Sequence, residues 1–378
     1  MQPWAHICQV MKGLNALGVP TYLLSFGDHN RSILEFCDGT PVYRIPGKFT
    51  LNKKECIRVL KEIDPDVTDW FGGLLSALDI VQIANSVNCK IVWNITQRRI
   101  LHDEMSLLGL SELCRFPGLG VIYSYHLLPE ALFRSAAAHS HAIVVASNRS
   151  KRSLVDMGIP TRKIHVICSG VDGELFSQVR EEGFHEIRIA NGFSGNDFIV
   201  CYFGPVSALR GIDTAIEAFR ILRARIPNAR LLILARSCVE DRWLLKISKN
   251  IVGIKLISRS LGQEDIAKFL MASDVVLLPF RFWPFNDCPL TVLESMAAAK
   301  SVVTTSTGFA GDLIVNGVNG FLVRPGDPLG VANIVLSLAK DEDKRLKIGI
   351  NARNTVLNNY DWKHVAMRTL DLFRFVCT

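Results

Sequence analysis

The sequence predicts an α/β fold of two domains, each built on a parallel sheet. Three observations carry this. Short apolar strands alternate with amphipathic helices almost throughout the 378 residues. The alternation runs twice, broken by the polar stretch EEGFHEIRIANGFSGND at 181–197, which reads as a linker. The chain is 49% hydrophobic and 21% charged, a globular composition long enough for two domains of ordinary size.

The elements follow in order. PWAHICQVMKGLNALG puts Trp4, Ile7, Met11 and Leu14 on one face and stops at Gly18, so it predicts a helix with a glycine cap. VPTYLLSF is a strand, LNKKECIRVLKEI a helix and CKIVWNI a strand. PEALFRSAAAHS predicts a helix, AIVVAS a strand, 149–157 a helix, and KIHVICSGVD a strand and loop. After the polar stretch come the strand FIVCYFG, the helix IDTAIEAFRILRARI and the strands ARLLILAR and GIKLIS. QEDIAKFLMAS is a helix and DVVLLPF a strand. A helix over 289–299, the strand SVVTT and two closing helices complete the chain. Such sheets bind ligands at the carboxyl ends of their strands, here in a cleft between the domains.

One expected element is missing. A Rossmann-like half opens with a strand and a glycine-rich turn, whereas this chain opens on a helix. Losing a central parallel strand leaves two unpaired edges. The expectation is a first domain lacking its N-terminal strand, with Met1 downstream of the true start or the chain a fragment; a rearranged sheet is the alternative.

Composition excludes several classes. No apolar run reaches the roughly 18 residues needed to cross a bilayer, and MQPWAHICQV has neither the basic start nor the apolar core of a signal peptide. The ten cysteines are scattered singly, which predicts reduced thiols in a cytoplasmic setting and no zinc site. Net charge is +7, with 19 Lys and Arg against 18 Asp and Glu before residue 185, and 24 against 18 after it. That bias suits an anionic small ligand or a membrane surface, and is too dispersed for nucleic acid.

The stretch FNDCPLTVLESMA, 285–297, is the first chemical candidate. Pro289 fits the first helical position, with Asn286 or Asp287 as cap. The amides of Leu290 and Thr291 then stand at the positive end of the helix dipole, ready for a phosphate. Glu294 lies one turn below Leu290, where a carboxylate can accept two hydrogen bonds from a ribose diol. A capped surface helix with a solvated glutamate would read the same way.

The second candidate is FGPVSALRGIDTAIEAF, 203–219: a strand, a loop bracketed by Gly204 and Gly211, then a helix. It is neither a dinucleotide fingerprint nor a P-loop, which disfavours a dehydrogenase. It sets Arg210 at a strand's carboxyl end, where a guanidinium would neutralise a diphosphate leaving group. A solvent-facing arginine is the plain alternative. DPD at 64–66 reads as turn chemistry, and DED at 341–343 as the acidic first turn of a helix. His102 and His126 stand in loops of the first domain, and no nucleophile–base arrangement follows from spacing.

At these stretches the sequence resembles the retaining glycosyltransferases of family four, which have the GT-B fold of two Rossmann-like domains facing a cleft. The resemblance is strong over about 140–375. It rests on AIVVASNRSKRSLVDMGIPTRKIHVICSGVDGELF, with Ser169 where the family's turn has Asn, and on YFGPVSALRGIDTAIEAF. It continues through CPLTVLESMAAAKSVVTTSTGFAGDLIVNGVNGFLVRPGD and NYDWKHVAMRTLDLF.

The resemblance implies an acceptor-side domain over 1–183, a nucleotide-sugar-binding domain over 184–360, and a closing helix over 361–378 packed back on the first domain. It implies metal-free glycosyl transfer, with retention, from a nucleoside-diphosphate sugar to a lipid-linked or polysaccharide acceptor. Peripheral membrane contact at the inner face goes with such acceptors. Arg210 matches the basic residue on the diphosphate, with Gly204 opening its loop. Glu294 matches the second acid of the Glu-x7-Glu motif, the one on the ribose. The end formed by Pro289, Leu290 and Thr291 matches the phosphate contact, and Ser258, Arg259 and Ser260 lie where the base is held.

Three positions depart from the pattern. Asn286 replaces the first glutamate, Pro205 an arginine after the loop's first glycine, and Thr96 a histidine after CKIVWNI. Asn286 can still bond a sugar hydroxyl but brings no negative charge to the anomeric centre. The rival readings are a catalytically weakened binding or scaffold protein of this fold, and a nucleotide-sugar epimerase.

Overall fold

The structure is a computed structural model, and it describes residues 2–27, 32–37, 39–47, 52–72, 77–95, 130–178, 181–206, 208–235, 250–281 and 288–378. Thr96, His102, His126, Asn286 and Asp287 lie outside the described residues.

The second domain shows how strand–helix alternation becomes a site. Strands β8 (Phe198–Gly204), β9 (Ala229–Ala235), β10 (Ile254–Ile257), β11 (Val275–Leu278), β12 (Ser301–Thr305) and β13 (Phe321–Val323) form one sheet in the order β10-β9-β8-β11-β12-β13. Every pairing is parallel. Strands buried on both faces read as continuous apolar runs, as FIVCYFG does. Helices α8 (Ile212–Arg223) and α12 (Pro328–Lys340) cover one face through Ile216, Phe219, Val331 and Val335. Helices α9 (Gln263–Met271) and α10 (Leu290–Ala297) cover the other through Ile266, Leu270, Leu293 and Met296. This is the doubly wound order, and its direction reverses between β8 and β11.

The first domain is divided. Strands β1 (Leu23–Gly27), β2 (Ile33–Cys37) and β3 (Thr40–Pro46) make a three-stranded sheet ordered β1-β3-β2. Strands β4 (Val67–Gly72), β5 (Lys90–Ile95), β6 (Ala142–Val145) and β7 (Ile164–Val166) make a separate parallel sheet of four. Among the described residues β1 and β4 each pair on one side only. Helix α2 (Lys53–Ile63) lies against both sheets: Val59 and Leu60 share one cluster with Leu24, Ile45 and Trp70. The strands β2 and β3 escape sequence reasoning because β2 is exposed over four of its five residues and β3 does not alternate cleanly.

Helix α1 (Gln2–Ala16) packs on α14 (Trp362–Cys377), with Val10 and Leu14 against Val365 and a close approach of Gly13 to Ala366. The buried face therefore runs through Val10 and Leu14, and Gly18 ends the helix at φ +79°. Helix α14 also reaches the first domain's sheet, where Leu372 and Val376 meet Val92 and Val144.

Two expectations fail. The polar stretch after residue 180 is not a linker but opens with helix α7 (Glu181–Ala190). Ile187 packs on the large core, and Arg188 reaches Asp274, Nη2 to Oδ2 at 3.0 Å, while its Nε donates to Ala272 O. Specific partners in the turn between α9 and β11 turn a polar sequence into a docked helix. The cysteines are not all single thiols either: Cys168 and Cys288 form a disulfide across 120 residues. The shorter readings fit. Asp64 of DPD sits in a turn at φ +48°, and Asp341 of DED caps α13 (Glu342–Tyr360), accepting from Lys344 N at 2.9 Å.

Candidate functional site

The switch point between β8 and β11 gathers most of the sequence-predicted residues. β8 ends at Gly204, whose φ is +130°. A Cβ there would lie 2.7 Å from Arg210 Nη1 and 3.4 Å from Thr291 Cγ2. Only the missing side chain lets strand end, guanidinium and helix start approach so closely.

The loop between β8 and α8 is tied down locally. Gly211 takes φ +73°, and a Cβ there would fall 1.8 Å from Pro279 O. Arg281 N donates to Leu209 O at 3.0 Å, and the Arg281 guanidinium pairs with Asp213. Tyr202 Oη donates to Pro205 O at 3.1 Å. Pro205, where an arginine was the family's pattern, thus serves as an acceptor for the strand beneath it.

Arg210 is 6% exposed and lies over the Phe280 ring, 5.8 Å from its centroid. Burial pushes the Tyr202 hydroxyl pKa well up, and the Arg210 cation beside it acts in the opposite direction. The plain alternative of a solvent-facing arginine is therefore excluded.

Helix α10 is buried along its whole length. Its cap is Pro289 itself, at φ −71° and ψ 107°, with no side-chain hydrogen bond; Leu290 is the first helical residue. The expected register, with Pro289 as the first helical residue, is off by one because the proline's ψ is extended rather than helical. Val292 N bonds to Pro289 O, so the amides of Leu290 and Thr291 lead the helix with no intrahelical acceptor. The Thr291 hydroxyl, in a residue 1% exposed, has no hydrogen-bond partner among the described residues. Glu294, 7% exposed, follows one turn down and is no solvated surface acid.

Ser258, Arg259 and Ser260 stand apart from this cluster. They are exposed at the carboxyl end of β10, two strands from β8, or roughly 10 Å at the usual strand spacing. Arg259 pairs with Asp265 at 3.5 Å. Asn286 lies outside the described residues, so of the predicted residues Gly204, Arg210, Pro289, Leu290, Thr291 and Glu294 stand at the switch point, while Ser258, Arg259 and Ser260 do not. Among the described residues no group of three or more His, Cys, Asp or Glu could hold a metal ion.

Sequence reasoning missed the contacts that join the domains. Helix α5 (Asn148–Asp156) starts in the first domain and α11 (Ala310–Leu313) in the second. Asn148 N donates to Asp312 Oδ2 at 2.7 Å between them. His6 Nδ1 lies 2.9 Å from Ser169 Oγ, with its ring against Phe71 and Trp362. Burial lowers the His6 pKa to about 4, so the ring is neutral near pH 7. These pairs are more than 160 residues apart, and no local pattern signals them.

Residues 183–355 match the family described as "Glycosyl transferases group 1". The chain is 25% identical over 295 residues to an uncharacterized glycosyltransferase of Methanocaldococcus jannaschii, covering 72% of this chain and 74% of that one. It is 26% identical over 239 residues to the amylovoran biosynthesis glycosyltransferase AmsK of Erwinia amylovora, covering 62% and 56%. The matched stretch thus spans little more than half of that second relative. Among solved structures, a glycosyltransferase from Rickettsia africae superimposes with a TM-score of 0.74 at 17% identity, covering 98% of this chain and 94% of that one. Anabaena HepE in complex with UDP-glucose gives a TM-score of 0.68 at 17% identity, covering 89% and 86%. The fold is GT-B: two α/β domains meeting at a cleft.

Proposed function

We propose that this protein is a glycosyltransferase that moves a sugar from a nucleoside-diphosphate sugar to a lipid or glycan acceptor, with retention of configuration. The observation that carries the reading is the convergence of Gly204, Arg210 and Thr291 at the switch point, with Glu294 one turn behind. The match of residues 183–355 and the UDP-glucose carried by one structural neighbour point the same way.

The donor's diphosphate lies on the amides of Leu290 and Thr291, with Arg210 against its oxygens. Glu294 accepts from the ribose hydroxyls, and the base extends toward Ser258, Arg259 and Ser260. As the anomeric bond breaks, negative charge grows on the leaving phosphate. Buried donors preorganised at that point stabilise it without reorganising. The departing phosphate oxygen takes the acceptor's proton on the same face, so no side-chain base is required. The two domains hold acceptor and donor in register. Asn286 contributes a neutral amide to the sugar. No metal takes part in this scheme. The protein acts in the cytoplasm, where such donors reside, and meets lipid acceptors at the membrane face. No described helix is long and apolar enough to cross a membrane.

The test is a thermal-shift screen against UDP, GDP, ADP and their sugar conjugates, since a ligand that binds only the native state raises the midpoint. One nucleotide should shift the parent chain, and much less so Glu294→Ala. A cooperative melt that no nucleotide moves would sink the proposal. Binding of a donor without turnover on any acceptor would favour a binding protein of this fold instead.

A further inference from the structure

Just after β7, the chain passes from the sheet of β4–β7 into the core beneath the second sheet through Cys168, Ser169, Gly170 and Val171, ahead of the boundary at 183. This crossing is gripped from several sides. Ser169 meets His6 on α1. A Cβ on Gly170 would sit 2.7 Å from the Trp362 ring, and Val171 N donates to Tyr360 O at 2.8 Å. Cys168 adds a covalent tie, its disulfide to Cys288, with the two Cα atoms 5.9 Å apart. Cys288 directly precedes Pro289, the cap of α10. The bond therefore joins the interdomain crossing to the end of the helix assigned to the donor's diphosphate.

Both cysteines are shielded from solvent, at 3% and 0% exposure. Both sit in one core cluster, so exchange at their sulfurs needs a local opening around them. Among the described residues the other buried thiols do not compete: burial pushes the pKa of Cys56 and of Cys201 up to about 12, leaving them protonated and unreactive.

We propose that Cys168 and Cys288 form a redox-sensitive tether that controls closure of the donor cleft. This rests on the donor-site reading above. Oxidised, the pair holds the start of α10 against the crossing; reduced, it lets the two move apart. The reductant is a dithiol. One of its thiolates attacks a sulfur of the pair to form a mixed disulfide, and its second thiol displaces the remaining cysteine. Two electrons pass from the dithiol to the pair, Cys168 and Cys288 each end with a proton, and the dithiol leaves as its own disulfide. A nucleoside diphosphate seated on Leu290, Thr291 and Arg210 keeps this end closed and slows the attack.

The experiment uses the full chain, purified without reductant and then treated with dithiothreitol. Peptide mapping should find 168 linked to 288 in the first sample only. Small-angle scattering should show a larger radius of gyration after reduction. UDP, or whichever nucleotide the screen identifies, should bind the reduced chain about tenfold more weakly, within the usual range for coupling between two states. Cys168→Ser and Cys288→Ser should match the reduced chain and ignore dithiothreitol. Absence of the linked peptide, an unchanged radius, or equal affinity in both redox states of a cooperatively melting chain would overturn the tether. If no nucleotide binds in either state, the donor reading falls, while the linked peptide and the radius still decide the tether.

Discussion

Replacing Arg210 with alanine tests the site at its most buried charge. The guanidinium is 6% exposed, stacked over Phe280, and touches the space that a Gly204 side chain would fill. A diphosphate at the start of α10 would accept charge-assisted hydrogen bonds from it, worth about 1.5–3 kcal/mol in such a setting. Each 1.4 kcal/mol is tenfold in affinity. Calorimetric titration should therefore show UDP, or the nucleotide the chain prefers, binding about 10–150-fold more weakly to Arg210→Ala. Arg210→Lys should fall between, because it keeps the charge but loses the planar fork. Arg220→Ala, which removes an exposed partner of Glu217, should leave affinity unchanged. If Arg210→Ala still melts cooperatively and binds within about twofold of the parent, the diphosphate lies elsewhere and the reasoning fails.

Two further predictions concern stability. Gly211→Ala must place a Cβ against Pro279 O at φ +73°, so left-handed strain of about 1–2 kcal/mol adds to overpacking of about 1–3. Urea unfolding should show a loss of about 2–5 kcal/mol, and an unchanged midpoint with an unchanged slope would refute it. Asp69 gives a pH signature. Burial raises its pKa to about 7, and its Oδ1 has no partner among the described residues. A raised acid binds its proton more tightly when folded, so its penalty is absent below about pH 4 and grows as pH rises to 7. Relative to the parent, Asp69→Asn should gain stability over that window, with an upper bound of about 4 kcal/mol. His6 acts oppositely: its pKa lowered to about 4 means stability lost as pH falls from 6.5. Denaturation at pH 4.5 and pH 8 checks this, and a parallel response in parent and variant would refute it.

By itself the sequence determined the two-domain α/β plan, because strand and helix periods are local. Continuous apolar runs such as FIVCYFG and ARLLILA fixed the central strands, and they became β8 and β9. It also marked Gly204, Arg210, Thr291 and Glu294, since a glycine loop and a polar helix start are patterns a few residues long. What it left open was whether those side chains met, and whether Arg210 and Glu294 were buried or solvated.

Only the tertiary structure decided that, by bringing the ends of β8 and β11 side by side at the switch point. It also docked the polar segment at α7 through the Arg188–Asp274 pair. It divided the first domain's strands between two sheets and joined Cys168 to Cys288. Each of these depends on partners far apart in the chain. A local pattern holds no information about which distant backbone or side chain will arrive to complete it.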